Sequence, residues 1–172
     1  MNDIRISASI ASGNSLDFRR EADYICDNYS DLHIDIEDGV YLPNISFGFK
    51  IARQISQYCE FMPRSMHLMV HNPLIWLDEV VACRPDIAFI HVDHLANGEE
   101  VLRAYKDRGL RVGLGLSNRD LGKNRENLLR LVNDMLVLTA FIDDPEQKYD
   151  DNLETFAVSL AKRSGFNVWV DG

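Results

Sequence analysis

Leu32-His33-Ile34-Asp35-Ile36-Glu37-Asp38-Gly39, continuing as Val40-Tyr41-Leu42-Pro43-Asn44, is the stretch whose reading decides the fold. Its first half alternates: Leu32, Ile34 and Ile36 fall on one face of a strand, His33 and Asp35 on the other. Asp38-Gly39 then breaks the strand into a loop. An imidazole and a carboxylate therefore stand side by side near a strand's C-terminal end, where parallel α/β architectures build their chemistry. A half-buried strand with a solvated polar face explains the same pattern, so the rest of the chain has to decide between the two.

Working outward, the same rhythm recurs on both sides. Ile4 to Ile10 alternates as a first strand, and Leu16 to Asn28 carries Phe18, Ala22 and Ile25 at helical spacing, with Ser15 or Asp17 as its cap. After the central strand and its loop, Ser46 to Tyr58 reads as a helix and Ser65 to Val70 as a third strand. Pro73 is placed to open the next helix. Asp86 to Val92 is a strand apolar almost throughout, as expected when both faces are covered. Asn97 to Asp107 is a helix stopped by Gly109. A fifth strand at Arg111–Leu116, a helix at Asn124–Asn133, a sixth strand at Asp134–Thr139, a helix at Leu153–Arg163 and a seventh strand at Phe166–Asp171 complete the series. Strict alternation of strand and helix implies a parallel sheet with right-handed crossovers. Seven strands lie between a flavodoxin-like sheet and a (β/α)8 barrel, which closes with eight and typically takes about 250 residues.

The 172 residues suit one domain, 1–172, with a sizeable core; 46% are apolar and 26% charged. A formal net charge of −9 without a Lys/Arg run argues against nucleic acid or an anionic membrane as partner, while a local site can still oppose it for a small anion. Cys26, Cys59 and Cys83 are odd in number and lack Cys-x-x-Cys spacing, which fits a reduced cytoplasmic protein. The N-terminus lacks the pattern of a signal peptide, and no apolar run reaches membrane-spanning length.

Three strand ends carry acid/base or metal-capable groups: His33 with Asp35, then His67, then Asp171. In a barrel these converge at the C-terminal mouth. Two imidazoles and two carboxylates suit Zn²⁺, Fe²⁺, Mn²⁺ or Co²⁺ without selecting among them. Singly, His67 could be a satisfied core histidine and Asp171 a helix cap. His91 and Asp93 repeat the His-x-Asp pattern on the fourth strand, where a structural or supporting role is expected. Trp76 and Trp169 read as packing residues, and the Asp143-Asp144-Glu146 run as a solvated loop that repels anions.

The run His33 to Gly48, together with Met66-His67-Leu68-Met69-Val70 before Asn72-Pro73, Ser7-Ala8-Ser9-Ile10 and Val170-Asp171-Gly172, resembles the ribulose-phosphate 3-epimerase family in order along the whole chain. The resemblance implies a (β/α)8 TIM barrel of the ribulose-phosphate-binding type, cytoplasmic, acting on a small sugar phosphate; a homo-oligomer stays open. It implies a divalent metal held by His33, Asp35, His67 and Asp171. Asp35 and Asp171 would be the catalytic acid/base pair that epimerises a ketose phosphate at C3 through an enediolate, and Ser9, His67 and Met69 would contact substrate. Two carboxylates are needed because inversion returns the proton from the opposite face.

The chain departs from the family pattern in places. Glu37 stands where the family usually has methionine, as does Leu138 near a second such position. Ser117-Asn118-Arg119-Asp120 replaces an Asn-Pro-Gly-Thr-like turn, and Phe141 to Gln147 replaces a glycine-rich phosphate turn. No eighth strand follows Gly172, so the expectation is a barrel with seven readable strands, C-terminally truncated. The alternatives to a sugar-phosphate epimerase are an epimerase of an unphosphorylated ketose and a catalytically silent, ligand-binding paralogue.

Overall fold

The computed structural model describes residues 5–142 and 148–172. Seven strands, β1 (Ser7–Ser9), β2 (Asp31–Glu37), β3 (Arg64–Met69), β4 (Ile87–His91), β5 (Val112–Leu116), β6 (Asp134–Leu138) and β7 (Asn167–Asp171), pair in sequence order in one sheet. Every pairing is parallel. The helices between them are α1 (Phe18–Asn28), α2 (Phe49–Tyr58), α3 (Leu77–Cys83), α4 (Gly98–Asp107), α5 (Glu126–Leu129) and α6 (Asp151–Ala161).

The sheet is strongly curled. Asp35 on β2 and Asp171 on β7 are five strands apart, about 24 Å across a flat sheet at ordinary strand spacing. Yet their carboxylates lie 3.2 and 2.9 Å from the same nitrogen, Nδ1 of His67. The arrangement is a (β/α) barrel lacking the eighth unit, as the family resemblance implies; the alternation by itself leaves a flavodoxin-like sheet open.

Alternation along the strands sorts side chains into two cores. Leu32, Ile34 and Ile36 of β2 pack outward with helix residues Ala22, Ile25, Phe49, Ala52 and Ile55. The inward faces fill the lumen: Ile87, Phe89, Leu136 and Trp169 form its floor, with Trp169 and Phe89 edge to face at 5.2 Å. Nearer the mouth, Tyr41, Leu42, Met69, Leu138, Ala140 and Ile142 form a smaller apolar cluster. Strand β5 is notched to admit large neighbours from β4. Gly113 pairs with Phe89 and Gly115 with His91; a Cβ at Gly115 would sit 2.6 Å from the His91 ring.

Element boundaries differ from the sequence reading where local chemistry intervenes. The described part of the first strand is short, because Ile10–Ser12 turns into a 3₁₀ segment capped by the Ser9 hydroxyl; Met1 to Ile4 lie outside the described residues. Neither Ser15 nor Asp17 acts as a side-chain cap ahead of α1. Asn14 does so for the 3₁₀ turn that precedes it. The helix expected over Asn124–Asn133 is only Glu126–Leu129, and Pro73 opens a 3₁₀ turn rather than α3 itself. Trp76 stacks on Phe49 at 5.0 Å, the packing role expected of it.

Candidate metal centre and active site

The site is built where strands β2, β3, β4 and β7 end. Period-two geometry points His33, Asp35 and Glu37 of β2 into the lumen, and parallel register sets Asp35 beside His67 and Glu37 beside Met69. Leu138 of β6 pairs with Asp171 of β7, bringing the last carboxylate to the same level. Beyond β2, the chain turns sharply because the Asp38 carboxylate accepts the backbone N–H groups of Val40, Tyr41 and His71, while Gly39 takes φ +73°. Ser46 ties the returning loop back, donating to the Asp35 carbonyl and accepting from the Glu37 N–H.

His33, Asp35, His67 and Asp171 offer four ligand atoms within 4.8 Å of one another. His33 Nε2 lies 3.1 Å from Asp35 Oδ1 and 3.6 Å from Asp171 Oδ2, but makes no hydrogen bond at usable angles and is buried. A buried, unpartnered imidazole nitrogen aimed at two carboxylates is the donor set a divalent ion would complete. The other His33 nitrogen, Nδ1, is 2.7 Å from Ser65 Oγ, which orients the ring and directs Nε2 inward. The Ser9 hydroxyl donates to Asp35 Oδ2. The residues present thus fit a metal ion.

The electrostatics agree. Burial alone would strip His33 of its proton, but the Asp35 and Asp171 carboxylates outweigh burial and raise it to about 10. His67 is raised as well: burial opposes this, and the same two carboxylates outweigh it. In return the imidazoles hold Asp35 and Asp171 well below the carboxylate range despite their burial. The raised imidazoles and lowered carboxylates thus favour positive charge at the position a divalent cation would take.

A cavity of about 450 Å³ opens beside these groups, lined by Ser9, Asp35, Glu37, Asn44, Met69 and Asp171 among others. Its size suits a small ligand. Glu37 is half-buried there; burial and the nearby Asp35 charge push its carboxyl up to about 7, and Asn44 Nδ2 donates to its Oε2 at 2.8 Å. The glutamate that departs from the family pattern thus faces the cavity, as its place on the His33–Asp35 face requires.

Each site residue expected from sequence lies at this one location: the two histidines and two aspartates as a cluster, Ser9 on Asp35, and Met69 in the cavity wall. The Asp143, Asp144, Glu146 and Gln147 positions of the altered sixth turn fall outside the described residues. Behind the site lies a polar network in which His91 and Asp93 take the supporting place expected of them, while the sequence reading gives Tyr41 and Arg119 no role. His91 Nε2 is 2.8 Å from His67 Nε2, and the Tyr41 ring lies 5.0 Å from the His91 ring. The Tyr41 hydroxyl donates to Asp93, and the Arg119 guanidinium sits 5.2 Å over the tyrosine ring. The repeated His-x-Asp on β4 was its only visible sign.

With that geometry established, the relatives can be placed. Residues 5–172 match the family model described as the ribulose-phosphate 3 epimerase family. The chain is 26% identical over 148 residues to ribulose-phosphate 3-epimerase of Helicobacter pylori, covering 86% of this chain and 67% of the relative. It is 26% identical over 149 residues to that of Rhodobacter capsulatus, covering 86% and 65%. The chain therefore spans about two thirds of the length of these curated relatives. Among solved structures, KGPDC from Streptococcus mutans superposes with a TM-score of 0.59 at 10% identity, over 98% of this chain and 77% of that one, a likeness of fold alone.

Proposed function

Because the chain belongs to the ribulose-phosphate 3-epimerase family, a family of carbohydrate epimerases, we propose that it acts as a metal-dependent epimerase of a ketose phosphate at C3. The observation that carries this reading is the meeting of Asp35 and Asp171, from opposite sides of the barrel gap, at one nitrogen of His67. In this reading His33, Asp35, His67 and Asp171 hold the ion. When bound, a divalent ion supplies Lewis-acid stabilisation of the negative charge that develops as the proton α to the carbonyl leaves.

The chain's own residues carry the proton. One carboxylate of the pair takes the C3 proton, giving an enediolate; the other returns a proton to the opposite face and inverts the centre, so it has to gain in the substrate complex a proton that the metal-free site, where both are ionised, does not hold. The two must therefore differ in proton occupancy during turnover. Ser9 keeps Asp35 aimed by donating to its Oδ2, and Met69, Leu138 and Ala140 line the cavity and limit water around the reacting carbon. The chain is read as a single domain, 1–172, and no helix among the described residues is long and apolar enough to cross a membrane.

A second reading, the epimerisation of an unphosphorylated ketose, is favoured by Glu37. It adds a third carboxylate to the cavity wall, and no Lys or Arg is among the described residues lining that cavity. A negative wall suits hydroxyls better than a phosphate dianion.

Both readings are tested by solvent deuterium incorporation at the carbon next to the carbonyl, with Fe²⁺, Zn²⁺, Mn²⁺ or Co²⁺ added, across phosphorylated and free ketoses. Exchange with appearance of the C3 epimer of a ketose phosphate is the expected result. Exchange restricted to free ketoses selects the second reading. No exchange with any sugar, despite bound metal, overturns both and leaves a ligand-binding paralogue.

A further inference from the structure

His91 sits at the end of β4 with none of its surface exposed, and outside the four clustered donors. Its surroundings are specific. Beneath it, Gly115 leaves the room that any side chain would fill: a Cβ there would lie 2.6 Å from Cδ2 and 2.7 Å from Nε2 of the ring. Above it lies the Tyr41 ring, inclined by 34° at 5.0 Å. Tyr41 is in turn fixed through its hydroxyl, which donates to Asp93 Oδ1 at 2.8 Å, two residues along from His91. The ring is thus clamped between a notch and a plate, and one edge remains, facing His67 at 2.8 Å, Nε2 to Nε2.

Two imidazole nitrogens at that distance share one proton, and the site decides which ring carries it. His67 turns Nδ1 toward Asp35 and Asp171, so a cation held there takes the Nδ1 lone pair. The neutral His67 ring must then carry its proton on Nε2 and donate it. His91 Nε2 must accept, which places the His91 proton on Nδ1. That Nδ1 is buried and has no hydrogen-bond partner among the described residues. Burying an unpartnered polar group is unfavourable, and an apolar residue would pack the same notch without that cost. The acceptor at Nε2 is what an apolar residue cannot supply.

We infer that His91 is a positioning residue: it accepts the Nε2–H of His67, fixes the tautomer that turns the Nδ1 lone pair toward Asp35 and Asp171, and so sets the affinity of the site for a divalent cation. The inference rests on the metal-site reading above. It also links the Asp38–Tyr41 loop to the cation, because Tyr41 both borders the cavity's apolar cluster and presses on His91.

The test uses the full chain and Zn²⁺ alone, with affinity read by competition against a chromophoric chelator and folding monitored by circular dichroism. His91→Phe keeps a flat ring but removes the acceptor, and is expected to weaken Zn²⁺ binding about 10- to 100-fold, the range for loss of an orienting partner of a ligand histidine. His91→Gln, whose amide oxygen accepts, restores most of that loss. Gly115→Ala alters no polar group yet pushes the ring, and weakens binding in the same direction. In the Zn²⁺-loaded protein, long-range ¹H–¹⁵N spectra should show His91 as the Nδ1–H tautomer.

Unchanged affinity in a folded His91→Phe variant, or an Nε2–H tautomer for His91, overturns the inference while leaving the metal site standing. If His91→Gln is as weak as His91→Phe, packing rather than hydrogen bonding is responsible, and the inference likewise falls. Equal, negligible Zn²⁺ binding by the unaltered chain and by His67→Ala overturns the metal-site reading and the inference with it.

Discussion

The two ends of the barrel lumen are made from the same strands and by the same alternation, but they are filled on opposite principles. At the floor, Ile87, Phe89, Leu136 and Trp169 exclude water. Asp134, a buried acid at the start of β6, is fully partnered: Arg111 meets it through two guanidinium nitrogens and Asn167 Nδ2 donates to it. At the mouth, two carboxylates crowd around two imidazoles, with His33 Nε2 left without a hydrogen bond. Paired charge and dense packing serve stability; clustered, half-satisfied charge is where binding and proton transfer are built. The difference teaches that a polar residue inside this barrel is read by whether its partners complete it.

That contrast can be broken by experiment. The largest effect expected is Asp35→Asn, which removes one of the two proposed acid/base carboxylates and should cut deuterium exchange by about 10²- to 10⁴-fold while leaving the fold intact; near-normal exchange in that variant would take Asp35 out of the chemistry. At the floor, Phe89→Ala should instead cost about 3–5 kcal/mol of stability by opening a cavity against Trp169 and Leu136, seen in urea denaturation. A cost below about 1 kcal/mol would show that the floor collapses to fill the space.

His67→Ala returns to the mouth and should lower divalent-metal affinity by about 100-fold or more, beyond what loss of a mere supporting group does, since a proposed ligand is lost. Unchanged metal content would break the ligand set. The smallest effect expected is at Glu37, whose folded pKa is raised from 4.5 to about 7. A raised carboxyl favours the folded state fully below the unfolded value, and that contribution is lost as pH rises through about 7. Glu37→Gln should therefore raise the Tm of the metal-free chain more at pH 8 than at pH 5; an equal shift at both would place Glu37 in an environment no different from water.

Much of the architecture is legible in the sequence. Seven strands and their parallel direction follow from alternation and turn chemistry, whereas their order in the sheet does not; α5 is shorter than its pattern suggests because Leu128, Leu129 and Leu131 keep a helical spacing that a four-residue helix and the turns after it satisfy equally well. The first strand was overread for a related reason: Ser9 had a second use, capping the 3₁₀ turn, that alternation cannot reveal.

By itself, the sequence determined the unit of construction and the donor set. Strict βα succession allows little but a parallel sheet, and period two places His33, Asp35 and Glu37 on one face whatever the sheet does next. Tertiary structure alone decided the distances that make those residues a site. Curling of the sheet brings Asp171 to His67 from four strands away, and the notch at Gly115 seats His91 against the far side of that same imidazole. Such contacts depend on curvature and on the volume of facing side chains, which accumulate over the whole sheet and leave no local pattern in the chain.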